Sequence, residues 1–182
     1  IVFCFCVLNV SESNPKIPEP QDIPTYRLNR DYRPEITAIR LEEPIKIDGH
    51  LDEEVWQTAP SSEPLIQTTP ITGIHMDQQT EFRVAYNANY LYVAVWCWDT
   101  EPDKIISRYM FRDDRLWEDD NISITLDTFN DLRNSYSFYV NPNGARLDAS
   151  TNNNVNANWM WDGIWEVKTQ MTDYGWQAEL AF

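Results

Sequence analysis

The stretch TEFRVAYNANYLYVAVWCWD, Thr80 to Asp99, decides the fold. Thr80, Phe82, Val84 and Tyr86 alternate with Glu81, Arg83 and Ala85, the period-two pattern of a strand with one buried face. Asn87-Ala88-Asn89 then turns the chain into a second strand. Leu91, Val93, Val95 and Cys97 take the core side of that strand. Their neighbours Tyr92, Ala94, Trp96 and Trp98 are apolar too, so the outer face is either covered by other chain segments or is a binding platform. Coverage is favoured over a platform.

The same grammar continues on both sides of this hairpin. NISITLD (121–127), SYSFYV (135–140), ARLDAS (145–150), IWEVKTQM (164–171) and GWQAELAF (175–182) read as further strands, with turns at Asn143-Gly144 and Asp173-Tyr174-Gly175. Upstream, IKIDGHLDEEVW (45–56) reads as a short strand, an Asp48-Gly49 turn and a helical start, with Asp52, Glu53 and Glu54 placed where carboxylates suit a helix N-terminus. Helix is expected only over Asp52–Ala59 and Glu101–Ile106, capping the ends of the sheets. Short, evenly spaced strands imply an all-β protein, an antiparallel β-sandwich of immunoglobulin-like or jelly-roll type with one or two helical turns.

A chain of 182 residues that is 42% hydrophobic suffices for one domain with a full core. The first residues, IVFCFCVLNVSES, are too short an apolar run to span a bilayer and read as the remnant of a secretory signal over residues 1–13, which implies export to the periplasm, outer membrane or exterior. Residues 14–35 form a Pro-rich linker, and the domain occupies 36–182. With Cys4 and Cys6 in the leader, Cys97 has no partner for an intrachain disulfide. The alternation in GWQAELAF is expected to continue past Phe182, in further strands of the same sandwich.

A net charge of −15 opposes contact with nucleic acid and with anionic membrane surfaces, and no segment here is suited to membrane insertion. Neutral ligands and cations remain. Eight Trp and nine Tyr serve either a large β-core or a recognition surface, since such rings combine an apolar face with a polar edge. The loop NNNVNANWMWDGIW (152–165) joins Trp159 and Trp161 to a run of Asn amides, a flat surface beside hydrogen-bonding groups, as a sugar demands; the competing reading has Trp161 and Trp165 plugging the sandwich. FRDDRLWEDDNISITLDTFND (111–131) carries enough carboxylates for a calcium site, or else a solvated acidic loop paired with Arg112 and Arg115. No nucleophile elbow, zinc-protease motif or phosphate loop occurs, and two histidines leave little for general-base chemistry.

Taken in order, IKIDGHLDEEVW, TEFRVAYNANYLYVAVWCWD, DDNISITLDTFND, FYVNPNGARLDA, WDGIWEV and GWQAEL resemble the family 9 carbohydrate-binding modules over Ile36–Phe182. The likeness is closer still to the N-terminal module of secreted bacterial proteins that continue into a large domain of unassigned function. The resemblance implies a non-catalytic β-sandwich, calcium as a structural ion, and recognition of a glycan or oligosaccharide. It implies that Trp117 is the sugar-stacking ring, that Asn141 is the polar strand residue at the sugar, and that Asp99 is a calcium-side carboxylate, with Asp120 taken beside it. Two positions depart from the pattern: Tyr139 stands where relatives have Arg, and Ser123 where they have Glu. These departures suit a second reading, a structural or assembly domain beside an outer-membrane or periplasmic partner, without sugar affinity.

Overall fold

The computed structural model describes residues 34–69, 76 and 78–182. The expected leader, the linker up to residue 33 and His75 lie outside the described residues. The elements run β1 (Ile39–Arg40), α1 (Glu54–Thr58), β2 (Thr80–Tyr86), β3 (Leu91–Trp98), β4 (Ile122–Leu126), β5 (Ser135–Val140), β6 (Arg146–Thr151), β7 (Glu166–Thr172) and β8 (Gly175–Ala181), with 3-10 turns at Pro102–Lys104 and Leu116–Glu118. Five strands form one sheet in the order β1-β2-β3-β8-β7, and β4-β5-β6 form the other. All pairings are antiparallel except β1 with β2, a short parallel contact that the sequence pattern does not announce.

The period-two pattern becomes a two-layer core. Phe82, Val84, Val93, Val95, Cys97, Ala178 and Leu180 on the larger sheet meet Ile122, Ile124, Leu126, Phe138 and Val140 on the smaller one, with Trp165, Val167 and Trp176 packed among them. This is the β-sandwich expected. Cys97 is buried, and that burial pushes its thiol up, so it is an unreactive core residue.

Register puts Arg146 and Asp148 of β6 level with the core residues Val140 and Phe138. Such polar residues facing inward need partners. Asp148, wholly buried, accepts from Trp165 Nε1 at 2.6 Å and from Arg112 at 2.7 Å; Arg146 donates to the Trp165 carbonyl at 2.6 Å. The β6 side of the sandwich is thus closed by Trp165 and a polar cluster.

A second apolar layer covers the other face of the larger sheet. Leu51, Val55, Trp56 and Ala59 pack on Ala85, Tyr92, Ala94 and Ala181. A helix of five residues has no stability of its own, and α1 has no side-chain cap. It is held by Trp56, fully buried, whose Nε1 donates to Glu179 at 3.0 Å, while the Asp48 and Gly49 amides donate to the other oxygen of the same carboxylate. Gly49 sits at φ +87°, which the tight turn requires. The Trp56 helix therefore lies across a sheet face and does not cap a sheet end, the placement expected from the sequence. Ile45 and Ile47, read as a strand, join no ladder; they pack onto this outer layer. No helix among the described residues is long and apolar enough to cross a membrane.

Candidate functional site

On the outer face of the smaller sheet, Ser123, Tyr139 and Leu147 stand side by side across β4, β5 and β6. The two departures noted in the sequence are therefore direct neighbours. Leu116, Ala145 and Leu147 are buried there together, with Tyr109 and Tyr139 packed against them. Leu116 belongs to the 3-10 turn Leu116–Glu118, so its burial fixes the next residue, Trp117, at the border of this face, where the indole is 55% exposed. Trp159 sets its ring 5.8 Å from that of Tyr139 and remains 47% exposed. The face is lined by rings.

Its rim is polar. The guanidinium groups of Arg108 and Arg115 lie over the Tyr109 ring, at 5.9 and 5.6 Å. Its hydroxyl donates to Glu118 at 2.6 Å, a bond that raises the Tyr109 pKa, and Glu118 also pairs with Arg115 at 3.1 Å. These exposed pairs contribute little to stability but hold charged donors beside the rings.

Beneath the rim, two adjacent carboxylates tie down the approach to β4. Asp119, fully buried, accepts from the backbone of Arg108 and Tyr109 and from Asn141 at 2.9 to 3.0 Å. Burial alone would raise its pKa, but these donors together hold it below the usual carboxylate value. Asn141, expected to contact a sugar, is wholly buried: it donates to the Tyr109 carbonyl and Asp119, and accepts from the Ala145 amide. Both amide hydrogens are committed inside the chain, so Asn141 positions the rim and does not reach a ligand.

Trp161 also parts from expectation. Asn158 starts a turn, accepting from Met160 N at 3.1 Å, that separates the two rings. Trp159 goes to the outer face, whereas Trp161 packs on Tyr136 and Phe138 on the core side, at 4.7 and 6.0 Å. With Trp165 it plugs the sandwich, leaving Trp117 and Trp159 as the accessible pair. Tyr139, treated in the sequence only as a departure, supplies the ring between strands that Trp159 leans on; period-two counting along SYSFYV would have placed it outward.

The two acidic groupings differ in kind. Among the described residues, Asp113, Asp148 and Asp162 bring oxygens within 4.8 Å of one another, but Arg112 already pairs with Asp148 at 2.7 Å and Asp162 at 3.0 Å. That is an ion-pair cluster. Asp120 is raised by its burial and further by the charges of Asp99 and Asp119, against a hydrogen bond from Ile106 N at 2.6 Å. Asp99 follows β3, where it accepts from Glu101 N at 2.6 Å, and Asp120 lies just before β4. His50 is exposed and donates its backbone amide to Asp48.

The model of the carbohydrate family 9 binding domain-like family matches residues 47–182. A search of curated proteins gave no match. Among solved structures, a family 9 carbohydrate-binding module from Caldicellulosiruptor kristjanssonii in complex with glucose superposes with a TM-score of 0.56 at 18% identity, over 80% of this chain and 66% of that one. The same module with cellotriose gives 0.56 at 18%, over 79% and 65%. A Bacteroides uniformis protein proposed to bind carbohydrate gives 0.59 at 13%, over 79% and 70%. At these identities the likeness is one of fold, and the chain spans about two thirds of the Caldicellulosiruptor module.

Proposed function

Because the chain belongs to the carbohydrate family 9 binding domain-like family, we propose that it is a non-catalytic module that binds a glycan through the outer face of its smaller sheet. The observation that carries this reading is exposed Trp159 against Tyr139 on a face whose buried Leu116 is followed by exposed Trp117, with Arg108, Arg115 and Glu118 at the rim. The rings cover apolar sugar faces and the rim groups take hydroxyls, a division of labour common to concave ligand sites. Ser123 and Tyr139 replace a carboxylate and a guanidinium of the resembled pattern, so stacking supplies more of the affinity than charged hydrogen bonds. Asp99 and Asp120 would hold a calcium ion that braces the end of β3 against the approach to β4, keeping the rim in place; no chemistry is asked of it. The apolar opening of the sequence supports export, as part of a cell-envelope or secreted protein that handles polysaccharide.

The test is calorimetric titration with cello- and xylo-oligosaccharides. Covering about 100 Å² of ring at roughly 25 cal/mol per Å² is worth about 2.5 kcal/mol. Trp117→Ala should therefore weaken binding by about fiftyfold or more, and Trp159→Ala should weaken it through loss of the second ring. Full affinity in folded Trp117→Ala protein would remove the assignment. The alternative, an assembly domain without sugar affinity, draws support from Met160 and Ile164, which stand exposed on the loop beside Trp159.

A further inference from the structure

The outer face of the larger sheet is only half covered. The layer around Trp56 lies on Ala85, Tyr92, Ala94 and Ala181, and near the other end of β3 the outward series continues to Trp98, which is 40% exposed. Gly175 is the register partner of Trp98, and a Cβ there would fall 2.0 Å from the Cys97 carbonyl oxygen. Only glycine permits that approach, and it brings the next ring, Tyr174, to 4.4 Å from Trp98 at an interplanar angle of 34°. The two rings support each other and form one wall of an open groove of about 500 Å³. Small-ligand sites commonly enclose roughly 300–1,000 Å³.

The rest of the groove is built for hydroxyl groups. Gln78 is clamped on Thr100, accepting from its amide at 3.0 Å and donating to its hydroxyl at 2.8 Å, which fixes the Gln78 amide and leaves its second N–H to donate. Gln79 is exposed on the same side, and its side-chain amide makes no hydrogen bond among the described residues. Glu81 lines the floor but is neutralised by Arg83 at 2.7 Å, and the Arg83 guanidinium rests 5.1 Å over Trp96. Asp99 also lines the groove; one of its oxygens accepts from Glu101 N at 2.6 Å and the carboxylate can accept from a ligand hydroxyl. A ring wall, two amides, a hydroxyl and two carboxylates, one of them balanced by Arg83, match the apolar face and hydroxyl fringe of a neutral polyhydroxylated ring.

We propose that the Trp98–Tyr174 groove is a second saccharide contact, taking a neutral pyranose, on the opposite outer face of the sandwich from Trp117 and Trp159. It stands whether or not the Trp117 face binds sugar. With both faces active, one module engages two chains or two stretches of one chain, and avidity exceeds the affinity of either face.

Proton–nitrogen correlation spectra resolve each indole N–H separately, so they follow both faces at once. During titration with cellotriose, xylotriose and mannotriose, the Trp98 signal should shift saturably with at least one sugar, and should do so equally in Trp117→Ala protein. Gln79→Ala, which disturbs no internal bond, should raise the dissociation constant at Trp98 by about three- to tenfold. A Trp98 signal that stays still with all three sugars overturns the proposal, as does one that loses its response in Trp117→Ala protein. The Trp117 signal reports on the first site independently.

Discussion

Asn141 carries a lesson at the scale of single residues. An amide just past the end of β5, beside the proposed sugar site, invites assignment as a ligand, but its three side-chain hydrogen bonds all stay inside the chain. Asn141→Ala should cost about 2–4 kcal/mol of stability by leaving the Asp119 and Tyr109 acceptors and the Ala145 amide poorly paired, read as a lower midpoint in urea. Arg112 makes a parallel case. It compensates wholly buried Asp148 and, less closely, Asp162. Arg112→Met keeps the length and removes the charge, so a buried carboxylate loses its counter-ion, and the expected loss is about 3–5 kcal/mol. The double variant Arg112→Met, Asp148→Asn should recover much of it. A cost below about 1 kcal/mol for Arg112→Met would show that water, and not Arg112, balances Asp148.

Among the elements, α1 has the sharpest dependence on one side chain. Burial raises the Glu179 carboxyl above its ordinary 4.5, against hydrogen bonds from Trp56, Asp48 and Gly49. A carboxyl with a raised folded pKa binds its proton more tightly folded than unfolded, so its contribution favours the fold below pH 4.5 and is lost as pH rises through the folded value. Trp56→Phe removes the indole donor, which pushes that value higher. It should cost about 1–3 kcal/mol at pH 7 and less at pH 4.5, measured by denaturant titration at the two pH values. An equal cost at both would mean that shape alone, not the N–H group, matters. These elements were unequally legible. The hairpin of β2 and β3 declared itself because period-two patterning over fifteen strand positions has few other readings. β1 did not, being two residues in parallel pairing. Ile45 and Ile47 imitate a strand because alternation also serves a segment lying on an apolar layer. The divergence of Trp159 and Trp161 was hidden for a like reason: residues two apart share a face on a strand, and a turn at Asn158 cancels that rule. The meeting of Arg112 with Asp148 and Asp162 depends on register and loop course, which no local pattern encodes.

At the scale of the whole molecule, a chain of net charge −15 with Asp99 and Asp120 as the proposed calcium ligands makes the response to divalent ions a direct test of the ion. If calcium binds the folded state alone, a hundredfold excess over its Kd adds about 2.7 kcal/mol. For a domain of this size that is a rise of roughly 5–10 °C in melting temperature over chelator-treated protein. Asp99→Asn with Asp120→Asn should abolish the rise, and magnesium, which resists losing its waters, should substitute poorly. Identical melts in calcium and chelator would remove the ion.

The larger sheet has its last strand in its interior: β8 lies between β3 and β7. Gly175 follows its partner Trp98 by 77 residues, so during synthesis the free edge of β3 waits for β8. At bacterial-like elongation rates of about 5–20 residues per second, that wait lasts about 4–15 seconds. Throughout it, Leu91–Trp98 is an apolar strand with one side unsatisfied, the state most prone to pairing with a neighbouring nascent chain. Raising expression level or crowding ribosomes on the message should therefore lower the native yield, even for a chain whose folded state is stable.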